Sequence, residues 1–350
     1  MLNGPEKVAK RIFNKCSHEF ETAFVTYFFD GSKNGIFKKF FGREIIPGIG
    51  NQTIYRLGIF RIVSFMFKFK PEIIHLITYE RFSVISLIYK KYSKAKMYYN
   101  VHGIAAFENE NNSMVKSILK WKDRYCEKKY FTFSDKLFFH SDNSINLAGE
   151  YYPLEKSKLI VIPNGIDKVF HQTVSGKSFN NEAMLKIVFI GGNNKNEKGF
   201  DFLVNALGNL SFRIELFIIG DSSYYTISNS LKFDLTFLNN LETEALANFY
   251  KDKDIFISAS YYEQFSIATV EAMAAGLVPL VTEETGMSSY IENGKNGFKI
   301  KYGEKENLCE ILTLLNNDRD KLKKISDESK KIYNQLSWDL VFEKYKSLYV

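Results

Sequence analysis

Short apolar runs alternate with amphipathic stretches along nearly the whole chain, and the alternation halts at one polar interval and then restarts. TAFVTYFF (22–29), PEIIHLIT (71–78), KMYYNVHG (96–103), KLFFHS (136–141) and SKLIVIPNGID (157–167) read as strands. Between them lie helical spacings in GPEKVAKRIFNKC (Val8, Ile12, Phe13), a basic helical stretch, ERFSVISLIYKKYS and a long polar helix over 113–130. HQTVSGKSFNNEA (171–183) reads as a linker or loop. LKIVFIGG (185–192), FRIELFIIGD (212–221), LTFLNNLE (235–242), DIFISAS (254–260) and LVPLVT (277–282) are further strands, with GFDFLVNALGNL as a helix among them. The last forty residues are charged and helical. Parallel strands need long crossovers, usually helices, so this pattern predicts α/β architecture with parallel sheets. A chain of 350 residues fits two such domains. The expected division is 1–162, 163–335 and a final helix, 336–350, returning toward the first domain.

Charge separates the two halves. Residues 1–165 carry 26 Lys and Arg against 15 Asp and Glu, a balance of +11; the remainder carries 21 against 25, or −4, giving the net +7. The excess collects in GIFKKFFGR (35–43), RLGIFRIVSFMFKFK (56–70) and YKKYSKAK (89–96), where basic residues mix with Phe and Ile. Such a surface fits either an anionic membrane face or a plain solvated basic face. No nucleic-acid-binding module accompanies the charge. There is no run of eighteen apolar residues and no apolar core of a secretory signal at the start. Three widely spaced cysteines, Cys16, Cys126 and Cys309, suit thiols in a reducing cytoplasm. No G-x-G-x-x-G follows a strand and no G-x4-G-K-[ST] occurs, which disfavours a dinucleotide-dependent oxidoreductase and a P-loop nucleotidase.

The stretch YYEQFSIATVEAMAAGLVPLVT (261–282) sets Glu263 in a loop and Glu271 inside a helix expected over Ile267–Ala275. The loop follows the carboxyl end of the DIFISAS strand, where ligands sit in open α/β sheets. Ser266 is placed to cap the helix and Gly276 to end it. The first N–H groups of that helix offer a phosphate site. Ala272, Ala274, Ala275 and Gly276 permit close packing on the sheet, so Glu271 is expected buried and in need of hydroxyl or N–H partners.

These residues carry a resemblance. YYEQFSIATVEAMAAG with its Glu-x7-Glu pair, VPLVT followed by ENGKNGFKI, IPNGID (162–167), FIGGNNKNEKGFDFLVNAL (189–207) and the closing LSWD…KY occur in order. NGPEKVAKRI, KPEIIH, NVHG and the strand end at Ser141 agree more loosely. The chain resembles the retaining glycosyltransferases of the GT-B fold, in the group of glycogen synthases and bacterial mannosyl- and glucosyltransferases (glycosyltransferase family 4, group 1). The resemblance implies two Rossmann-like doubly wound domains facing a central cleft. It implies a UDP- or GDP-linked nucleotide-sugar donor on the second domain and a glycan or lipid-linked acceptor on the first. Neither metal nor further cofactor is expected. It places such a chain in cell-envelope polysaccharide or glycoconjugate synthesis, in the cytoplasm, and the basic first half adds an expectation of peripheral contact with the inner face of the membrane.

Residue by residue, the resemblance implies that Glu271 hydrogen-bonds the donor ribose and that Glu263 lies near the transferred sugar. Gln264, Phe265, Ser266 and Ile267 present backbone N–H groups, Lys198 neutralises the diphosphate, and His102 contacts the donor sugar. Gly4 matches a glycine turn near the diphosphate, with the strand that ordinarily precedes it not recognisable in this chain. His75 reads as core. Two positions depart from the family pattern. Gly192 stands where an arginine is usual, with Lys195 a substitute cation, and Asn239 stands where a glycine is usual near the nucleobase. A sugar-nucleotide epimerase of similar fold and a non-catalytic sugar-nucleotide-binding module remain the alternatives.

Overall fold

The computed structural model describes residues 4–27, 36–47, 53–110, 117–172, 184–192, 197–225 and 233–350. The chain divides into two compact units, Leu2–Ile162 with Phe342–Val350, and Pro163–Val341.

The first unit runs α1 (Gly4–Cys16), β1 (Phe24–Tyr27), α2 (Ile36–Phe41), β2 (Arg43–Pro47), β3 (Thr53–Leu57), α3 (Ile59–Phe69), β4 (Ile73–Leu76), α4 (Ser86–Tyr92), β5 (Lys96–Asn100), α5 (Ala105–Glu110), α6 (Ser117–Phe133), β6 (Lys136–Phe139), α7 (Asp142–Tyr151) and β7 (Leu159–Val161). Val8, Ala9, Ile12 and Cys16 form the buried stripe of α1, as the spacing required. Among the described residues the strands of this unit make two sheets. β4-β5-β6-β7 are parallel throughout, while β1-β3-β2 form a separate sheet with β1 parallel and β2 antiparallel to β3. The basic helical stretch expected before residue 71 holds over α2 and α3 and is interrupted by β2 and β3. Ile45 faces Tyr55 and Ile46 faces Ile54 across the hairpin pair. β-branched and aromatic residues fit a pleated surface, and here that preference prevails over the charge pattern between two short helices. Helix α7 was not read in the sequence. Its start is a capping box built from Ser141 and Ser144, a serine replacing the usual Glu or Gln.

The second unit runs α8 (Lys168–Gln172), β8 (Leu185–Gly192), α9 (Phe200–Leu207), β9 (Ile214–Gly220), β10 (Asp234–Leu238), α10 (Thr243–Tyr250), β11 (Ile255–Ser258), α11 (Ile267–Ala274), β12 (Val278–Thr282), β13 (Phe298–Ile300), α12 (Lys305–Asn317), α13 (Arg319–Ser329), α14 (Tyr333–Leu336) and α15 (Trp338–Tyr349), the last of which contributes Phe342 onward to the first unit. Of the expected linker 171–183, residues 171–172 are the end of α8, and 173–183 lie outside the described residues. The sheet order is β10-β9-β8-β11-β12-β13, all parallel. Its central strands β8, β9, β11 and β12 are buried on both faces, with Ile187, Ile218, Ile257 and Leu280 packing one side and Val188, Ile219, Phe256 and Val281 the other. Continuous apolar strands such as IFIS and VPLVT follow from that double burial. The strand order reverses between β8 and β11, which makes their carboxyl ends the switch point of a doubly wound sheet. Cys16, Cys126 and Cys309 remain thiols.

The residues of α15 that belong to the first unit are held there by a chain of polar contacts. His75 on β4 pairs with Tyr349 Oη at 2.6 Å and with Asn100 Oδ1 at 2.8 Å, and Asn100 Nδ2 donates to Tyr345 Oη at 3.0 Å. The expectation of a core role for His75 holds.

Candidate functional site

At the switch point the carboxyl ends of the neighbouring strands β8 and β11 lie side by side, the place where open α/β sheets take ligands. Lys198 and Gly199 lead into α9. Gly199 has φ +71°, and a Cβ there would sit 1.9 Å from the Ala259 carbonyl oxygen. Glycine is therefore required twice, for the left-handed backbone and for the close approach to the end of β11. That approach carries Lys198 to Glu263, whose Oε1 accepts a hydrogen bond from Lys198 Nζ at 2.7 Å. Glu263 Oε2 accepts from Ser260 Oγ at 3.3 Å and Ser258 Oγ at 3.4 Å. The main chain of Glu263 is fixed as well, since Gly286 N–H donates to its carbonyl at 2.8 Å. Lys198, Glu263, Ser258, Ser260 and Ser266 line a cavity of about 110 Å³, with Phe189 and Phe256 also among its lining residues. The arrangement offers a cation, a carboxylate and hydroxyls around one cavity.

Helix α11 spans Ile267–Ala274, one residue shorter than expected. Its start differs from the expected serine cap. Ser266 takes a left-handed conformation, φ +69°, and its side chain caps no backbone N–H; its Oγ instead accepts from Thr269 Oγ1 at 2.8 Å. A non-glycine residue held in that region marks a constrained loop. The far end is as read: Gly276 has φ +80° and its N–H bonds Met273 O at 2.9 Å, while Leu277 N–H bonds Ala272 O at 2.9 Å, the two bonds of a Schellman motif. Ser326 Oγ donates to Gly276 O at 2.5 Å and Ser329 Oγ to Leu277 O at 2.9 Å, tying that end to α13. Glu271 is buried at 6 % exposure, as the pattern of small residues required. Burial and the adjacent Glu271 carboxylate together hold the Tyr250 hydroxyl well above its ordinary pKa.

The structure brings Lys198, Glu263 and Ser266 to one cavity. Gln264 and Phe265 are buried beside it, the Phe265 ring 6.1 Å from that of Tyr290, and Ile267 is half-buried. Gly192 ends β8 beyond a register shift, opposite Gly220, and Asn239 is exposed just after β10. Lys195 lies outside the described residues. Gly4 begins α1 and His102 follows β5, both in the first unit. Sequence reasoning missed Ser258 and Ser260, although a Ser-Ala-Ser ending on an apolar strand is a readable sign of hydroxyls at a ligand-facing edge. It also missed His140, which contacts His102. Among the described residues no group of three or more His, Cys, Asp and Glu is arranged to hold a metal ion.

Two α/β units, one built on a doubly wound parallel sheet with a lysine–carboxylate pair at its switch point, define a GT-B-type architecture. Residues 173–332 match the model of glycosyl transferases group 1 and residues 17–169 that of glycosyltransferase family 4. The chain belongs to this family of glycosyltransferases. It is 24% identical to a UDP-Gal:alpha-D-GlcNAc-diphosphoundecaprenol alpha-1,3-galactosyltransferase from Escherichia coli over 63% of this chain and 60% of that one. It is 21% identical to a glycogen synthase from Desulfitobacterium hafniense over 89% of this chain and 79% of the relative. The structure of Anabaena Alr3699/HepE in complex with UDP and glucose superposes with a TM-score of 0.74 at 16% identity, covering 99% of this chain and 95% of that one.

Proposed function

We propose that the chain transfers a hexose from a UDP- or GDP-linked sugar to a glycan or lipid-linked acceptor, with retention of anomeric configuration and without a metal ion, in envelope polysaccharide or glycoconjugate synthesis. The observation that carries the reading is the Lys198–Glu263 pair at the switch point of the second unit's sheet. A nucleoside diphosphate leaves with two negative charges. Lys198, on a side chain that is part exposed, and the first N–H groups of α11 are the cations and dipoles available to meet them. Glu263 and the hydroxyls of Ser258 and Ser260 suit the hydroxyls of the transferred sugar. Glu271 is assigned to the donor ribose, because a buried carboxylate on α11 accepts well from vicinal hydroxyls. Gln264, Phe265, Ser266 and Ile267 are assigned backbone contacts to sugar and diphosphate. Gly4, Gly192, Lys195 and Asn239 keep their donor-side assignments from the family pattern.

In the proposed step the acceptor oxygen bonds to the anomeric carbon on the face from which the diphosphate departs, and the acceptor proton passes to the leaving phosphate oxygen. Support for the donor class comes from the relative named for UDP-Gal and from the similar structure holding UDP and glucose. We place the reaction in the cytoplasm, with the basic first half against the inner membrane face. Exposed Phe41 and Phe60, stacked at 5.2 Å, sit within the basic stretches and fit an anionic lipid surface. Incubation with radiolabelled UDP- and GDP-sugars and extracted glycolipid tests the reading, and the anomeric proton coupling of the product reports retention. Absence of transfer with every donor, or conversion of the donor sugar without acceptor, sinks it; the second result is that of an epimerase.

A further inference from the structure

Three adjacent parallel strands of the first unit, β5, β6 and β7, end side by side, and each contributes one group to a line across their carboxyl ends. Ile162 follows β7, His140 follows β6 and His102 follows β5. His140 is 1 % exposed and its Nδ1 lies 2.9 Å from the Ile162 carbonyl oxygen. His140 Nε2 lies 3.0 Å from His102 Nδ1, with the ring centroids 4.4 Å apart.

Hydrogen-bond chemistry fixes the protons along this line. A carbonyl oxygen only accepts, so His140 Nδ1 carries a hydrogen. Neutral His140 then has a bare Nε2, which only accepts, so His102 Nδ1 carries the next hydrogen. Neutral His102 is left with a lone pair and no proton on Nε2. Both rings stay neutral near pH 7: burial lowers His140 to about 4, and burial with the neighbouring His140 lowers His102 well below its ordinary value.

From this geometry we infer that His140 is a positioning residue: through the Ile162 carbonyl it holds His102 in the tautomer whose Nε2 accepts a hydrogen bond from a sugar hydroxyl. The inference rests on the proposed sugar-transfer reading for its ligand. A bare imidazole nitrogen attracts O–H and N–H donors and repels phosphate or carboxylate oxygens, so His102 reads the sugar and not the diphosphate. Because the line is anchored on a backbone carbonyl, its far end has no proton to donate back. The same logic fixes tautomers at other sites, where the bond made by one ring nitrogen decides the state of the other.

Nitrogen NMR of the protein labelled with ¹⁵N-histidine tests this without any ligand, since two-bond proton–nitrogen couplings separate protonated from bare ring nitrogens. A His102→Gln variant assigns the His102 signals by their loss. In the unsubstituted protein His102 is expected wholly in the Nδ1–H form. His140→Gln keeps an acceptor and is expected to retain that form; His140→Phe removes it and is expected to shift His102 into a mixture containing Nε2–H. An Nε2–H form of His102 in the unsubstituted protein, or an unchanged tautomer in His140→Phe, overturns the inference. Should His140→Phe not fold, the unsubstituted and His140→Gln spectra still decide it. The readout is independent of catalysis, so a correct tautomer with no sugar transfer removes only the functional reading.

Discussion

Lys198 Nζ stands 2.7 Å from Glu263 Oε1, so the cation and the carboxylate proposed for two parts of one donor are bonded to each other. On the proposed reading a diphosphate competes with that carboxylate for Lys198. Glu263→Gln keeps the shape and removes the competitor, so UDP or GDP is expected to bind a few-fold more tightly by calorimetry, in line with the about 0.2–1 kcal/mol of a part-exposed pair. Sugar transfer is expected to fall on the order of 100-fold in the same variant. Unchanged nucleotide affinity would separate the pair from the donor site.

Gly199 and Gly208 flank α9 and should respond in opposite ways to alanine. Gly199 lies at φ +71° with the Ala259 carbonyl oxygen 1.9 Å from the new methyl position, whereas Gly208 lies at φ −63° with its nearest neighbour at 3.5 Å. Gly199→Ala is expected to cost roughly 2–4 kcal/mol in urea unfolding, from backbone strain and displacement of β11. Gly208→Ala is expected to be neutral or to stabilise by about 0.4–1 kcal/mol. Equal melting of the two variants would argue against the close packing of the Lys-Gly step.

Acid should loosen the first unit through its histidines. Burial lowers His75 to about 4 from 6.5, despite the hydrogen bond it donates to Asn100 Oδ1 pulling upward, and His140 also falls to about 4. The unfolded chain binds these protons first, so stability is full above about 6.5 and drains as pH falls toward 4, at up to about 1.4 kcal/mol per unit and group. Glu127 acts in the opposite sense. Burial raises it to about 7, against hydrogen bonds from Tyr152 and the Ala105 and Ala106 N–H groups, so its contribution is present below about 4.5 and lost as pH rises through 7. His75→Gln is expected to flatten the acid limb of urea midpoints between pH 7 and 5, and Glu127→Gln to flatten the neutral limb. Identical pH profiles in all three proteins would rule out this assignment.

Glu271 is testable by subtraction from the ligand. The unsubstituted protein is expected to prefer UDP or GDP over the corresponding ribose-deoxy nucleotide by roughly 10- to 100-fold, the value of hydrogen bonds to a buried carboxylate. Glu271→Gln should lose most of that preference while still folding. A preference that survives the substitution assigns the ribose to another residue.

Phe41 and Phe60 are 46 % and 53 % exposed. If they enter a lipid interface beside Arg43 and Arg61, sedimentation with anionic vesicles is expected to drop several-fold in Phe41→Ser/Phe60→Ser and to weaken with salt. Pelleting that ignores both salt and substitution would leave the basic face as an ordinary solvated one.

Period and apolar content made five of the second unit's six described strands legible, because strands buried on both faces admit few polar residues; the three-residue β13 was too short to show a pattern. The same rule failed for Arg43–Pro47 and Thr53–Leu57, which belong to a small mixed sheet whose edge carries charge. Glu271 was readable as a charge in an apolar helix and Gly276 as an ordinary helix stop, whereas Lys198 came only with the ordered family motifs. The Ser266 backbone was not readable, since a left-handed serine is imposed by the loop around it and leaves no mark in composition. His140 was hidden for a similar reason, its role arising only from the alignment of three strand ends.

The clasp of Ser326 and Ser329 on the carbonyls of Gly276 and Leu277 has a mechanical corollary. With its trailing end bolted to α13, the helix bearing Glu271 has no slack to recoil when a ligand presses on its leading turn, and the strain must travel onward into α13. Polymorphism fifty residues downstream of the crevice should therefore register there as altered grip on the nucleotide.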